Sequence, residues 1–219
     1  MQAPGGRAEM QPDATSAKAN LRVQLQRRRL STTGHQRRLD DNARLIRLFD
    51  LLDAESVLPM TRPDGDGASL TVALYLSKPP EPDTVALAVA LCQRGFNLLV
   101  PAPGTNGTWA QPAWANYAEP IRPGAAGIPV SSGVIARQGL AQVDVIVMPG
   151  LAGSLDGPRL GTGGGWYDRA LSSASSTARR WLVLNDWEVL ASLPRQSHDI
   201  PVDRIITPTR TLVTHPTLG

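Results

Sequence analysis

A glycine-rich segment in the C-terminal half carries the residue types best suited to bind phosphate. Four glycines fall within the five positions Gly161 to Gly165, preceded by Arg159 and followed by Tyr167 and Asp168. Glycine lets backbone N–H groups approach a phosphate closely, an arginine fork matches phosphate oxygens, and an aspartate can hold the magnesium that accompanies a nucleotide. The segment therefore predicts a phosphate or nucleotide site. The alternative is a turn whose glycines serve packing.

The residues on either side predict where this loop lies. Val143 to Met148 is an apolar run with the length of a buried strand, Pro149-Gly150 ends it, and a helix is predicted from about Tyr167. Ligands of α/β folds bind where parallel strands end, and a helix N-terminus adds partial positive charge. The pattern is not a Walker A loop, because no Gly-Lys-Ser/Thr follows, nor a Rossmann motif placed after a first strand.

A second group of charges lies near the N-terminus. Lys18 and Arg22 are four residues apart, so a helix places them on one face, with Arg29 on nearly the same face. Two cations on one stripe can bind a polyphosphate, and a solvated helix face is the alternative. A nucleic-acid surface is not predicted, because few aromatic residues interleave with the nine Lys and Arg residues between Lys18 and Arg47.

The elements that must position these charges alternate between helices and apolar strands. This order predicts an α/β fold with a mostly parallel central sheet flanked by helices. Residues 1–15 lack hydrophobic periodicity and are predicted to be a disordered tail, while residues 16–219 are predicted to form a single α/β domain. Predicted helices cover about 16–30, 35–52 and 84–95, and predicted strands cover about 70–76, 96–100, 143–148, 181–184 and 204–207. Residues after 207 give no clear pattern. The second helix is expected to bury Leu39, Ile46, Phe49 and Leu52.

Composition excludes several classes of protein. The chain has 219 residues, 42% hydrophobic, with a formal charge of +3. No apolar run reaches the roughly 18 residues that a membrane span needs, and no signal peptide is recognisable. Cys92 is the only cysteine, so no intrachain disulfide can form, and we expect it to be a small buried hydrophobe. A cytoplasmic protein without membrane contact is therefore expected.

Four segments together resemble the 5-formyltetrahydrofolate cyclo-ligase family. The run Pro149-Gly150-Leu151 followed by Arg159-Leu160-Gly161-x-Gly163-x-Gly165-x-Tyr167-Asp168 is similar to the family signature. The pair Lys18-x-x-x-Arg22, the segment Leu76 with Glu81-x-x-Thr84, and Leu193-Pro194 with His198-Asp199 agree in order and spacing. The resemblance extends from about Lys18 to Thr207. It implies the three-layer fold of the NagB/RpiA/CoA-transferase type.

The resemblance also implies a reaction and a set of site residues. The enzyme would convert 5-formyltetrahydrofolate, with or without a polyglutamate tail, to 5,10-methenyltetrahydrofolate. ATP would be the co-substrate and Mg²⁺ the metal. ADP and phosphate would be released after phosphorylation of the formyl oxygen. A monomer that binds no nucleic acid is expected. The catalytic residues would be Lys18, Arg22 and Arg159, which would bind ATP together with Leu160, Gly161, Thr162, Gly163, Gly164, Gly165, Trp166 and Tyr167. The folate would contact Leu76, Glu81, Thr162, Gly163, Gly164, Gly165 and Trp166, and the metal would be held by Asp168 and Asp199.

Three departures from the family pattern leave alternatives open. Thr162 stands where an aromatic or basic residue is common, Trp166 replaces the first tyrosine of a pair, and Gly153-Ser154 replaces Phe-Asp. One alternative is a divergent paralogue, an ATP-dependent enzyme acting on another small heterocyclic or formylated substrate. The other is a non-catalytic folate- or nucleotide-binding protein, against which the retained Asp168 and Asp199 argue.

Overall fold

The computed structural model of the chain describes residues 14–57, 70–104, 106–196 and 199–215. These residues include four α-helices and two short 3₁₀ helices, Ala125–Gly127 and Asp186–Glu188. The α-helices are α1 (Ala14–Ser31), α2 (Gly34–Val57), α3 (Val85–Gln93) and α4 (Trp166–Leu171). The strands are β1 (Thr71–Leu74), β2 (Asn97–Ala102), β3 (Ala113–Asn116), β4 (Arg122–Pro123), β5 (Pro129–Val130), β6 (Val145–Pro149), β7 (Ala152–Ser154), β8 (Arg159–Leu160), β9 (Arg179–Val183), β10 (Val189–Leu190), β11 (Arg204–Ile206) and β12 (Thr211–Val213).

The largest sheet of the described residues has seven strands in the order β12-β11-β9-β6-β1-β2-β3. Its five central strands pair in parallel, and β3 and β12 pair antiparallel at the two edges. Parallel pairing requires crossover connections that place helices on the faces of the sheet. The predicted α/β class with a mostly parallel sheet is therefore confirmed.

Two hydrophobic clusters cover the two faces of this sheet. Successive side chains of a strand point to opposite faces, so Val145 and Val147 of β6 face one cluster while Ile146 and Met148 face the other. Helices α2 and α3 pack on the first face, and α4 packs on the second. The result is three layers, helix–sheet–helix, with the sheet as the buried middle layer.

The buried face of α2 agrees only in part with the expected one: Leu52 is fully buried and Phe49 packs against the core, as expected. Leu39 and Ile46 are 51% and 62% exposed, whereas Arg44, Leu48 and Glu55 are buried. The prediction assumed that only apolar side chains face the core. Arg44 is instead bound by Asp41 at 2.5 Å and by Asn185 at 3.0 Å, and Glu55 pairs with Arg179 at 2.8 Å. Paired charges can occupy inward positions that periodicity assigns to hydrophobes.

Several element boundaries also differ from the sequence predictions. Helix α1 begins at Ala14, inside the predicted tail, and residues 1–13 lie outside the described part, as do the 59–68 loop and His198. Strand β2 continues through Pro101, because its pairing with β1 ends at Leu99 and no ladder hydrogen bond to β1 is lost beyond that point.

Three further features were wrong or missing in the sequence prediction. Cys92 is exposed, because α3 turns Leu87, Ala88 and Leu91 towards the core instead. Strand β12 was not predicted, and neither was the small sheet β10-β7-β8. Strands of two or three residues are too short to show alternation. Among the described helices none combines the length and apolar character needed to cross a membrane.

Candidate functional site

A cavity of about 690 Å³ lies where β1 and β6 end. These neighbouring strands run parallel, with Leu74 opposite Val147, so the segments that follow them emerge at the same edge of the sheet. The segment after β1 contributes Tyr75, Leu76 and residues 78–81, and the end of β6 with the two residues after it contributes Pro149 to Leu151. The rest of the wall comes from residues 159–169, from α1, from the segment with Gln196 and Asp199, and from Pro101, Trp109, Ile128 and Pro129.

Every site residue predicted from the sequence lines this one cavity. They are Lys18, Arg22, Leu76, Glu81, Arg159, Leu160, Gly161, Thr162, Gly163, Gly164, Gly165, Trp166, Tyr167, Asp168 and Asp199. Among the described residues of the wall, six are basic and three are acidic, so the cavity favours anionic ligands. The basic residues are Lys18, Arg22, Arg29, Lys78, Arg159 and Arg169, and the acidic ones are Glu81, Asp168 and Asp199.

Arg159 and Asp168 form an ion pair at the base of the glycine-rich segment 161–165, called the glycine loop below. Arg159 Nη2 donates to Asp168 Oδ1 at 2.8 Å, and Nη1 donates to the Pro149 carbonyl at 3.4 Å. The guanidinium lies 5.6 Å from the centre of the Tyr167 ring. Arg159 Nε and Tyr167 Oη are buried and have no hydrogen-bond partner among the described residues. Burial raises the pKa of Tyr167, so its hydroxyl stays a donor. Arg159 is thus held by Asp168 and Pro149 at the wall of the cavity, with the Tyr167 ring beside it.

The glycine loop itself has a backbone that few other residues adopt. Gly163 has φ +106° and Gly165, which precedes α4, has φ +62°. Arg22 reaches this loop from α1, and its Nε donates to the Gly161 carbonyl at 2.9 Å. The helix that follows the loop, α4, has only six residues. The described part of the wall also carries six basic side chains, which contribute full charges.

Lys18 and Asp199 form the second ion pair of the cavity. Lys18 Nζ lies 2.7 Å from Asp199 Oδ2 and 3.1 Å from Gln196 Oε1, and the Gln196 N–H donates to the same carboxylate oxygen at 2.8 Å. Asp168 and Asp199 are thus each neutralised by a cation. No group of three or more metal-binding side chains occurs in the described part of the chain. Mg²⁺ typically takes one or two carboxylates plus phosphate oxygens and water, so an aspartate on this wall suffices for a metal that arrives with a nucleotide.

Glu81 lies at the end of the segment that follows β1. Its Oε2 accepts from the Lys78 N–H at 3.0 Å, which fixes the side chain against the turn 78–81. Burial raises the pKa of Glu81 above its ordinary value of 4.5, against the opposing influence of the Lys78 N–H and of Arg29. Leu76 is 4% exposed and contributes an apolar contact to the same wall. A carboxylate beside an apolar surface suits a flat heterocycle with N–H donors on one edge.

An aromatic group forms another part of the wall. The ring centres of Trp166 lie 6.4 Å from Trp109, 5.4 Å from Trp114 and 5.1 Å from Tyr167. Trp109 and Trp166 line the cavity. Trp109 was not predicted as a site residue, because the Gly- and Pro-rich segment around it has no periodicity. Four further wall residues were not predicted, because an isolated charged or polar side chain gives no sequence signal: Arg29, Lys78, Arg169 and Gln196.

The three departures from the family pattern differ in their position. Gly153 and Ser154 are buried in β7, and a Cβ at Gly153 would lie 2.6 Å from Leu182. The glycine there allows close packing against β9. Thr162 and Trp166 do line the cavity. Only these two substitutions can therefore contact a ligand directly.

Comparisons with known proteins agree on one family. The model of the 5-formyltetrahydrofolate cyclo-ligase family matches residues 14–208. A 5-formyltetrahydrofolate cyclo-ligase of Mycolicibacterium smegmatis is 32% identical over 152 residues, which are 65% of this chain and 76% of that protein. The protein of the same name from Escherichia coli strain K12 is 33% identical over 72 residues, covering 32% of this chain and 40% of that protein.

Two solved structures resemble the chain. The NMR structure of a 5,10-methenyltetrahydrofolate synthetase from Aquifex aeolicus superposes with a TM-score of 0.70 at 26% identity, covering 92% of this chain and 95% of that one. The structure of a 5,10-methenyltetrahydrofolate synthetase from Mycoplasma pneumoniae has a TM-score of 0.65 at 17% identity, covering 87% and 98%. The second likeness shows the shared fold.

Proposed function

The chain belongs to the 5-formyltetrahydrofolate cyclo-ligase family. We therefore propose that its cavity uses ATP and Mg²⁺ to convert 5-formyltetrahydrofolate to 5,10-methenyltetrahydrofolate. The observation that carries the proposal is the convergence of two ion pairs, Lys18–Asp199 and Arg159–Asp168, with Glu81 on one cavity. The ion pairs suit a metal-bound polyphosphate, and Glu81 suits the pterin.

The reaction needs activation of a poor electrophile. The N5 formamide is stabilised by resonance, and its oxygen is a poor leaving group. In the proposed first step the formyl oxygen attacks the γ-phosphorus of ATP, the bond to the bridging oxygen breaks, and ADP leaves. N10 then attacks the activated formyl carbon, the carbon–oxygen bond breaks, and phosphate departs with the former formyl oxygen. The N10 proton passes to water, which balances the reaction.

The basic residues supply charge neutralisation for the phosphoryl transfer. Lys18, Arg22 and Arg159 would contact the ATP phosphates and balance the charge that develops on the transferred group. The backbone of the loop 160–167 would hold the nucleotide. Asp168 and Asp199 would hold Mg²⁺, which supplies Lewis-acid polarisation of the phosphate oxygens. In this arrangement the protein acts mainly by positioning and electrostatics.

The other end of the cavity would bind the folate. Glu81 would accept from the N–H donors of the pterin, Leu76 would pack against its ring, and Trp166 offers an aromatic face for stacking. Thr162, Gly163, Gly164 and Gly165 would lie between folate and nucleotide. This placement brings the formyl oxygen and the γ-phosphate to the same loop, as the first step requires.

We also propose that the enzyme acts as a cytoplasmic monomer. Cys92, the single cysteine, is exposed, and an exposed thiol suits a reducing compartment. All the residues assigned to the site come from one chain, so the proposed chemistry needs no second copy. The substrate is taken to be 5-formyltetrahydrofolate with or without a polyglutamate tail.

The proposed order of bond changes can be tested with isotopically labelled substrate. If the formyl oxygen carries a heavy isotope, the proposal predicts that the label appears in inorganic phosphate, one atom per turnover. Mass spectrometry of the released phosphate measures it. Label recovered in water, with unlabelled phosphate, would contradict phosphorylation of the formyl oxygen.

Arg22→Ala is expected to raise the KM for ATP about tenfold, which corresponds to loss of one charge-assisted contact of about 1.4 kcal/mol. The KM for the folate should change little, because Arg22 contacts the glycine loop on the nucleotide side. Steady-state kinetics with each substrate varied in turn checks this. Arg27→Ala is the matched control, since Arg27 is exposed on the same helix and should leave both KM values unchanged.

A further inference from the structure

Arg29, the third basic residue on the inner face of α1, is bonded to other residues of the protein. Arg29 is 4% exposed. Its Nε donates to Glu188 Oε1 at 2.5 Å, and its Nη2 donates to Glu188 Oε2 at 2.9 Å and to the Gly150 carbonyl at 2.5 Å. Although Arg29 lies at the cavity wall, its charge is balanced by Glu188, a fully buried carboxylate that does not line the cavity. The partners of Lys18 and Arg22, by comparison, are Asp199 and Gly161, which do line it.

Glu188 connects this guanidinium to two segments of the site. It is completely buried, belongs to the 3₁₀ helix after β9, and also accepts from the Asn185 N–H at 2.8 Å. The chain continues from Glu188 into β10, which pairs with β7. Strand β7 begins two residues after Gly150, which is the other acceptor of Arg29. One side chain therefore joins α1 to the segments that follow both β6 and β9.

A bound nucleotide would replace the contacts of Lys18 with Asp199 and of Arg22 with Gly161. The contacts that would still hold α1 are then the Arg29 pair, the Arg28 guanidinium 4.3 Å from the centre of the Trp187 ring, and apolar packing. The inward apolar residues of α1 are Leu21 and Leu25, which join a small cluster with Leu151, Ala152 and Leu160. Apolar packing is not directional, whereas a bidentate arginine–carboxylate pair fixes geometry. Because an α-helix rises about 1.5 Å per residue as a rigid rod, the anchor at Arg29 also sets the positions of Lys18 and Arg22 at the nucleotide side.

We propose that Arg29 and Glu188 are positioning residues for nucleotide binding: their buried pair holds α1 so that Lys18 and Arg22 reach the ATP phosphates, and Arg29 itself binds no ligand. The proposal rests on the proposed function, because it assumes that ATP occupies the side of the cavity next to α1. It predicts that removing the pair weakens nucleotide binding even though neither residue contacts the nucleotide.

The test combines two variants of the pair with one control. Replacing one partner alone leaves a buried charge unpaired and destabilises the fold, so the main variant is the double substitution Arg29→Met with Glu188→Leu, which keeps the interior apolar. Arg29→Lys keeps the charge but cannot bind Glu188 and Gly150 with the same planar fork. The control is Glu55→Gln. Glu55 is also a buried carboxylate that pairs with arginines, Arg179 and Arg204, but it lies on α2 and does not line the cavity.

The measurements are the Kd for ADP with Mg²⁺ in the absence of folate, by calorimetry, and the KM values for ATP and folate. The double variant is expected to raise the ADP Kd and the ATP KM at least about tenfold, with the folate KM within about threefold, because small displacements of binding groups cost much affinity. Arg29→Lys should give a smaller shift in the same direction. Glu55→Gln should lower the melting temperature and leave the ADP Kd unchanged.

Two results would overturn the proposal. One is an ADP Kd for a folded double variant or for Arg29→Lys that equals that of the parent enzyme. The other is an equal loss of ADP affinity in Glu55→Gln, which would assign the effect to general stability. If the parent enzyme itself binds no ADP, the proposed function fails, and that outcome is distinct from a failure of the positioning role.

Discussion

Asp168→Asn is expected to lower kcat by about 10²- to 10³-fold, the usual effect of removing one group that stabilises transition-state charge. Asp168 would hold the metal that neutralises the transferred phosphate, and an amide cannot supply that charge. The asparagine oxygen can still accept from Arg159 Nη2, which Asp168 now does at 2.8 Å. The melting temperature should therefore fall only slightly. Parallel measurements of kcat and of thermal unfolding check both parts.

Asp203→Asn serves as the control for Asp168→Asn. Asp203 forms a comparable arginine–aspartate pair with Arg180 at 3.0 Å, and it does not line the cavity. We expect parent-like kcat from this variant. Binding of Mn²⁺ in the presence of ADP, followed by electron paramagnetic resonance, should weaken in Asp168→Asn and not in Asp203→Asn. Equal kcat values for the two variants would contradict the proposal that Asp168 holds the metal.

Glu81→Gln is expected to raise the folate KM about 10- to 100-fold, the range for losing hydrogen bonds to a charged group. The pterin presents N–H donors, and a glutamine amide would place its own N–H₂ group against one of them. The ATP KM should stay within about threefold, because Glu81 lies at the folate end of the proposed site. Steady-state kinetics with the folate varied at saturating ATP measures the effect. Glu119→Gln is the control: Glu119 is exposed and bonded to Tyr117, and it should leave the folate KM unchanged.

The same substitution should not destabilise the fold near neutral pH. Burial raises the pKa of Glu81 above 4.5, so the folded state binds this proton more tightly than the unfolded state. The resulting stabilisation is present below the ordinary pKa and is lost as the pH rises through the raised pKa. Near neutral pH the buried charge opposes folding, and glutamine removes it. Thermal unfolding should give a melting temperature equal to or above that of the parent near neutral pH, with the difference shrinking towards pH 4.5.

A parent-like folate KM in Glu81→Gln would contradict the pterin-binding role. A large fall in melting temperature would contradict the physical argument instead, because it would mean that the charged carboxylate stabilises the fold. Because a raised folate KM is predicted together with an unchanged or raised melting temperature, general misfolding, which lowers the melting temperature, cannot imitate the expected result.

The parts of the site that residue patterns alone predicted share one property: their residues are close along the chain or occupy regular positions on one element. Leu76, Glu81 and Asp199 are remote from them along the chain and were predicted only through the family resemblance. The segment from Arg159 to Asp168 is nearly continuous, and Lys18 and Arg22 are one helical turn apart. Arg29 was placed on the same helix face, but its role was not visible, because its partner Glu188 is 159 residues away. Trp109 reaches the cavity only through the path of an irregular loop.

The fold could be predicted where the hydrophobic runs are long. It could not be predicted where charged residues occupy positions in the interior. Strand β6 is buried over four residues, and its place beside the glycine loop follows from the sequence. The inward face of α2 was predicted correctly at Phe49 and Leu52 only. Arg44 and Glu55 were missed, because they are buried by partners on distant strands and loops. Periodicity records the type of a side chain, whereas its burial here depends on tertiary ion pairs.

The most direct measurement is the absorbance of the methenyl-folate band in a mixture of the protein, 5-formyltetrahydrofolate, ATP and Mg²⁺. We expect the band to grow with time, and the growth to stop when either ATP or Mg²⁺ is omitted. Folded protein that binds ATP but produces no band, or a band that grows equally without ATP, would contradict ATP-dependent cyclo-ligase chemistry at this cavity.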